Sequence, residues 1–148
     1  MRLERTLNFC LQASNPQEAR RWLQDPTLAL SKISVFRDLS LKDGVLSGSL
    51  VAPFAIVGEV RFPFRSYFNP DDDFAVLTPA ELDSDGSGET LAQLGGRARL
   101  DGDRVCYQAE LRLHLNWPEG EKWGGRAFRK MAEAAFERTL SRTLRELG

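Results

Sequence analysis

The sequence carries few residues with which to do chemistry. It has one histidine, His114, and two cysteines, Cys10 and Cys106. Two cysteines make neither a disulfide framework nor a zinc site, and they fit a cytosolic protein that keeps its thiols reduced. With one histidine, any histidine-dependent acid–base or metal site must use His114. Neither charge is in excess: 20 Lys and Arg face 21 Asp and Glu, a formal net charge of −1. No overall field therefore draws the chain to nucleic acid or to a membrane surface. No apolar run approaches the roughly 18 residues of a membrane span. The opening Met1-Arg2-Leu3-Glu4-Arg5 lacks the apolar core of a signal peptide. Neither G-x-G-x-x-G nor a Walker pattern is present, so Gly95-Gly96 and Gly124-Gly125 do not form a phosphate loop. The expectation is a cytoplasmic protein with no cofactor, no metal, no nucleic-acid partner and no membrane span.

What is present is the material of a globular fold. The 148 residues, 42% hydrophobic and 28% charged, suit one domain over residues 1–148. Leu3, Leu7, Phe9 and Leu11 alternate with polar residues, which predicts a first strand with its odd positions inward. Asn15-Pro16 and Asp25-Pro26 each pair an N-cap residue with proline at the first helical position, so two short helices follow. An Asp43-Gly44 turn of type I′ pairs Lys42 with Val45 and Leu41 with Leu46. Continued without a break, that register sets Leu39 opposite Gly48, Arg37 opposite Leu50 and Val35 opposite Ala52, with Arg37 on the apolar face. Ala52 to Gly58 reads as a connection or bent edge because of Pro53. Val60, Phe62, Phe64, Ser66 and Phe68 define the next strand, and Asn69 to Asp73 a turn. Phe74, Val76 and Leu82 mark a further strand weakened by Pro79, and Asp83 to Gly88 a polar loop. A turn at Asp101-Gly102 sets Leu100 opposite Asp103, Ala98 opposite Val105, Gly96 opposite Tyr107 and Ala92 opposite Leu111. The last strand runs on to Trp117.

The final stretch is helical. Phe128, Met131, Ala132, Ala135, Phe136, Thr139, Leu140, Thr143, Leu144 and Leu147 form one apolar stripe at spacings of three and one. Seven strands at about 4.8 Å make a sheet roughly 34 Å wide, whereas a helix is only about 10–12 Å across. One helix covers such a sheet only if the sheet curls around it, and curling leaves space for large side chains or for a ligand.

This order of elements resembles the START-like superfamily (SRPBCC), which includes the birch-pollen-allergen fold. The resemblance rests on Asn15-Pro16 and Asp25-Pro26 opening the short helices and on Gly124-Gly125 leading into the long one. It implies an α+β helix-grip fold, in which a curved seven-stranded antiparallel sheet grips the long C-terminal helix, with two short helices after strand 1 and a hydrophobic cavity between sheet and helix. It also makes the first and last strands neighbours, which brings Cys10 and Cys106 near each other on the outer face. Members carry lipids, sterols or polyketides, act as cyclases, or assist other proteins, so the fold does not fix the function.

Candidate site residues follow from the inward positions: Arg5, Arg37, Phe62, Phe64, Tyr107, Leu111, Phe128, Met131, Ala132 and Ala135. A buried arginine needs a partner, and Arg5 or Arg37 offers one for the anionic head of an amphipathic ligand. The alternative is that each arginine reaches water or a carboxylate. His114 alternates onto the outer face and reads as a solvent-facing strand residue. The acidic clusters Asp71-Asp72-Asp73 and Asp83-Ser84-Asp85 read as solvated turns. Arg126, Arg129, Lys130, Arg138, Arg142 and Arg145 share the helix with Glu133, Glu137 and Glu146, so that surface is mixed. The expected role is non-enzymatic binding or transport of a small hydrophobic ligand. The alternatives are an interaction module with a filled core, whose partner meets the outer sheet face or the basic helix face, and a cyclase-like enzyme with Tyr107 as its hydroxyl.

Overall fold

The computed structural model describes residues 2–54, 58–80, 90–115 and 125–147, and of Gly125 the backbone alone. β1 (Arg2–Gln12) leads into α1 (Pro16–Gln24) and α2 (Pro26–Leu30). Six strands follow: β2 (Phe36–Lys42), β3 (Val45–Phe54), β4 (Gly58–Pro70), β5 (Phe74–Pro79), β6 (Leu91–Asp101) and β7 (Arg104–His114). The long helix is α3 (Gly125–Glu146). The seven strands form one antiparallel sheet in the order β1-β7-β6-β5-β4-β3-β2. It curls into a half-barrel with α3 on its concave side, an α+β helix-grip arrangement.

The short helices start where the caps predict. The Asn15 carboxamide accepts from the Glu18 N–H at 2.8 Å, and the Glu18 carboxylate accepts from the Ser14 N–H at 3.0 Å. That second bond is the main reason the Glu18 carboxyl titrates below its ordinary range. Asp25 receives the Thr27 N–H at 3.1 Å and so opens α2 directly after α1. Ala19, Trp22 and Leu23 of α1 and Ala29 and Leu30 of α2 are buried and close the concave face at one end.

Both hairpins form, and their registers correct the sequence reading in two ways. At the first, Asp43 (φ 53°) and Gly44 (φ 75°) are both left-handed, as a type I′ turn requires, and Lys42 pairs with Val45 and Leu41 with Leu46. A bulge between Arg37 and Ser40 then shifts the strand, so that Arg37 faces Ser49 and Phe36 faces Leu50. Asp38 takes the left-handed backbone conformation there (φ 56°). The bulge puts two adjacent charged residues, Arg37 and Asp38, in solvent and lets Phe36 and Leu39 both pack on the core. At the second hairpin Asp101 pairs with Arg104, so the turn is Gly102-Asp103 and only Gly102 has positive φ (64°), the pattern of a type II′ turn. This moves the register by two residues: Ala98 faces Tyr107 and Gly96 faces Ala109. A two-residue shift preserves the faces, so Tyr107 still points into the concavity.

Other expectations change at the edges. β3 continues through Pro53, which pairs with Glu59, and Phe54, which pairs with Gly58. The Val51 N–H donates toward β2, to the Val35 carbonyl at 2.8 Å. Two residues on, Pro53 turns its missing N–H to that same side, beyond where β2 has ended. In β5 the inward residues are Ala75 and Leu77, whereas Phe74 and Val76 face out. Leu82, the loop from Asp83 to Gly88, Trp117 and Gly124 lie outside the described residues. At Gly96 (φ 123°) an added Cβ would sit 2.0 Å from the Gln108 carbonyl oxygen, so the backbone there excludes any side chain.

The cysteines overturn the expectation of free thiols. The β1–β7 register sets Cys10 directly opposite Cys106, with Cα atoms 3.9 Å apart, and the two form a disulfide. It ties the first strand to the last across 96 residues of sequence.

Candidate functional site

The concave face presents Phe54, Phe62, Phe64, Phe68, Leu94, Ala98, Val105, Tyr107, Leu111 and Leu113, all buried. Their rings order one another. Phe9 stacks on Tyr107 at 5.1 Å between centroids, and the edge contacts Phe36–Phe64 and Phe54–Phe62 lie at 6.1 and 6.0 Å. From the helix, Phe128, Ala132, Ala135, Phe136, Thr139, Leu140 and Thr143 are buried against this face. The backbone of α3 comes closest to β3, and side chains alone bridge most of the remaining distance to the sheet.

In that gap lies an apolar cavity of about 40 Å³, open to one side beside Leu144. By the same measure a water needs roughly 10–15 Å³, so about three water-sized bodies fit. Leu50, Leu94 and Leu111 form its sheet wall, and Leu30, Ile33, Val35 and Phe36 its floor. Its helix wall is the C-terminal half of α3, with Phe136, Thr139, Leu140, Thr143 and Leu144, and Leu147 just past its end. The threonine hydroxyls do not face a guest as free groups. Thr139 donates to the Ala135 carbonyl at 2.9 Å, and Thr143 to the Thr139 carbonyl at 2.8 Å. Tyr107 borders this cavity, and a second one of about 20 Å³ beneath Leu23 and Phe68. Burial pushes the Tyr107 phenol well above its ordinary pKa, and its oxygen has no hydrogen-bond partner among the described residues.

Of the candidate residues, Phe62, Tyr107 and Leu111 meet on the cavity wall. Phe64, Phe128, Ala132 and Ala135 are buried in the core outside it, and Met131 is 42% exposed. Arg5 points from β1 to α3, where its guanidinium bonds the Glu137 carboxylate, and it also donates to the Glu4 carbonyl at 2.6 Å. Arg37 stands outside and donates to the Ser34 carbonyl. Leu30, Ile33, Phe36 and the last two turns of α3 belong to the wall without having been singled out from the sequence. The helical spacing after Pro26 is a signal for Leu30. Phe36 is hidden by the bulge.

A second, open cleft of about 480 Å³ lies on the sheet between Glu4, Arg5, Thr6, Pro79, Gln93, Glu110 and Arg112. Two of its charges neutralise each other, Glu4 binding Arg112 at 2.8 Å, and Glu4 also binds Arg2 beyond the cleft at 3.1 Å. His114 nearby shares a hydrogen bond with Gln93 Oε1 at 3.1 Å. Partial burial, then the Arg2 and Arg112 charges, hold its pKa below the usual histidine value. Among the described residues no group of three or more His, Cys, Asp or Glu stands close enough to hold a metal ion. No described helix is long and apolar enough to cross a membrane.

The model of one protein family, described as "Protein of unknown function (DUF3809)", matches residues 8–145. This chain belongs to that family. No curated protein matches it in sequence. Among solved structures it is similar to the Zhui aromatase/cyclase from Streptomyces sp. R1128, with a TM-score of 0.57 and 14% identity over 99% of this chain and 92% of that one. It is also similar to the protein TTHA0849 from Thermus thermophilus, with a TM-score of 0.53 and 16% identity over 98% and 94%. At these identities the likeness concerns the fold alone, the helix-grip arrangement.

Proposed function

We propose that this family member binds a small, apolar, uncharged molecule between the concave sheet face and α3. The observation that carries the reading is the chemistry of the cavity wall. No charged side chain lines it among the described residues, and its threonine hydroxyls have their hydrogens committed within the helix. An apolar guest there gains the full hydrophobic transfer energy, about 25 cal/mol per Å² buried. An anionic head group has no cation to meet, because Arg5 bonds Glu137 and Arg37 faces out. This narrows the amphipathic ligand expected from the sequence to a neutral one. A cavity of about 40 Å³ is far below the roughly 300–1,000 Å³ of drug-sized sites. Any guest larger than a few waters must therefore displace the C-terminal half of α3. Leu144, already 37% exposed, and Leu147 are the residues that yield first. Native mass spectrometry of the protein purified from its own cells tests the reading. A co-purifying neutral small molecule supports it, and a bare protein mass from several growth conditions counts against it.

A second reading has one observation in its favour. Tyr67, Phe74 and Val76 are exposed together on the outer face of β4 and β5, with Arg97 and Arg99 in register beside Val76 and Phe74. Such a patch suits a protein partner. A cyclase-type reaction, suggested by the Zhui enzyme, draws no support from the lining, which offers the high-pKa Tyr107 phenol and no carboxylate or imidazole among the described residues.

A further inference from the structure

Tyr107 is 8% exposed, and its hydroxyl oxygen is enclosed with no partner among the described residues. Folded proteins rarely leave a buried polar group unpaired, so each such group calls for an explanation. The neighbours of this ring are apolar: Phe9 is stacked on one face, and Ala98 lies opposite on β6. Leu94 and Leu111 share the larger cavity with it, and Leu23, Phe68 and Ala75 the smaller one, which Arg97 and Gln108 also border. A water in the larger cavity is a poor answer, because an internal water needs two to four polar partners and the two threonine hydroxyls of that wall already donate within the helix. Phenylalanine would fill the same volume without an unpaired oxygen. The phenol is thus an uncommitted donor beside an apolar cavity.

We propose that Tyr107 is the polar anchor of the ligand site, and that its O–H donates to a single neutral acceptor oxygen, such as a ketone, ester or ether oxygen, on an otherwise apolar ligand. This rests on the ligand-binding reading above and adds the chemical class and the orientation to it. One directional hydrogen bond at the sheet fixes the oxygen end, and the apolar remainder lies toward Leu140 and Leu144 of α3. A carboxylate is excluded, since it would enter desolvated and unpaired by any cation. The phenol acts as a positioning donor and gives up no proton, because burial opposes its ionisation.

The test uses two probes of nearly the same shape, acetophenone and α-methylstyrene, which differ by a carbonyl oxygen in place of a methylene. Each is titrated into the wild-type protein and into Tyr107→Phe, with methyl NMR spectra reporting both binding and the integrity of the fold. The ratio of acetophenone affinity to α-methylstyrene affinity is expected to fall roughly 2- to 10-fold in Tyr107→Phe, the worth of one net hydrogen bond. The carbonyl ¹³C resonance of bound, labelled acetophenone is expected to lie further downfield in the wild type than in the variant, where the carbonyl has no donor. If both probes bind and neither the ratio nor the carbonyl shift distinguishes the two proteins, Tyr107 is not the anchor, although the cavity reading stands. If neither probe binds the wild type at all, the ligand-binding reading fails and takes this inference with it.

Discussion

Reduction of the Cys10–Cys106 disulfide is expected to destabilise the fold by several kcal/mol without changing any packed side chain. The bond joins residues separated by 96 positions. In the chain-entropy picture, closing a loop of about 100 residues removes unfolded-state freedom worth roughly 4.7 kcal/mol. Residual structure in the unfolded chain lowers this, so about 3–5 kcal/mol is the expected range. That is a large share of the roughly 5–15 kcal/mol that stabilises an ordinary domain. For a chain of this size it corresponds to a fall of about 6–20 °C in Tm, at roughly 2–4 °C per kcal/mol. The assay is urea unfolding, with and without a phosphine reductant, followed by tryptophan fluorescence and by far-UV circular dichroism. A thiol count on the denatured protein confirms the redox state of each sample. The folded spectra should coincide, because β1 and β7 remain paired along their length. A transition shifted by less than about 1 kcal/mol would refute the reasoning, since it would mean that the unfolded chain gains no freedom when the link is cut.

Three further outcomes follow from the same structure. Gly96→Ala should be among the most damaging single changes to the sheet, costing at least about 3 kcal/mol, because positive φ and a Cβ 2.0 Å from the Gln108 oxygen act together; a thermal melt near that of the wild type would show that the strand moves aside. His114 should titrate below its unfolded value of about 6.5 in an NMR titration, and Arg112→Gln should raise that midpoint. A base depressed in the native state holds fewer protons than the unfolded chain, so its stabilising effect is present above pH ~6.5 and lost as the pH falls toward the native midpoint. Glu137→Gln should cost no more than about 1 kcal/mol in urea unfolding, because the Arg5–Glu137 pair is half exposed.

Much of this fold can be read from local turn and cap chemistry. Asn15-Pro16 and Asp25-Pro26 announce both short helices, and Asp43-Gly44 sets its hairpin because both positions need positive φ. The failures share a physical cause: the chain offered two local solutions, and the local pattern alone does not choose between them. Asp101-Gly102-Asp103 permits a turn at either pair, and the structure takes Gly102-Asp103. Phe36-Arg37-Asp38-Leu39 permits strict alternation with an arginine inside, or a bulge with two charges outside, and desolvating Arg37 decides for the bulge. In β5, Phe74 and Val76 are larger than Ala75 but face out, because the β4 and β6 partners fix the register. The candidate site was legible as a place between sheet and helix, and Tyr107, Phe62 and Leu111 border the small gap there. Its position along the helix was not, since the stripe runs unbroken from Phe128 to Leu147 and only three-dimensional packing shows where the small gap falls. The disulfide was legible only in part: the resemblance made the first and last strands neighbours, but cysteine count alone pointed to reduced thiols, and only the register of β1 and β7 sets Cys10 directly opposite Cys106.

The central claim is that an apolar guest enters between the sheet and α3. The most direct measurement is an isotope-filtered NOE experiment on methyl-labelled protein saturated with α-methylstyrene. The account predicts cross-peaks from the probe to the methyl groups of Leu50, Leu94 and Leu111 on the sheet and of Leu140 and Leu144 on the helix. Cross-peaks confined to Val76 and its outer-face neighbours on β4 and β5, with none to the cavity wall, would contradict it.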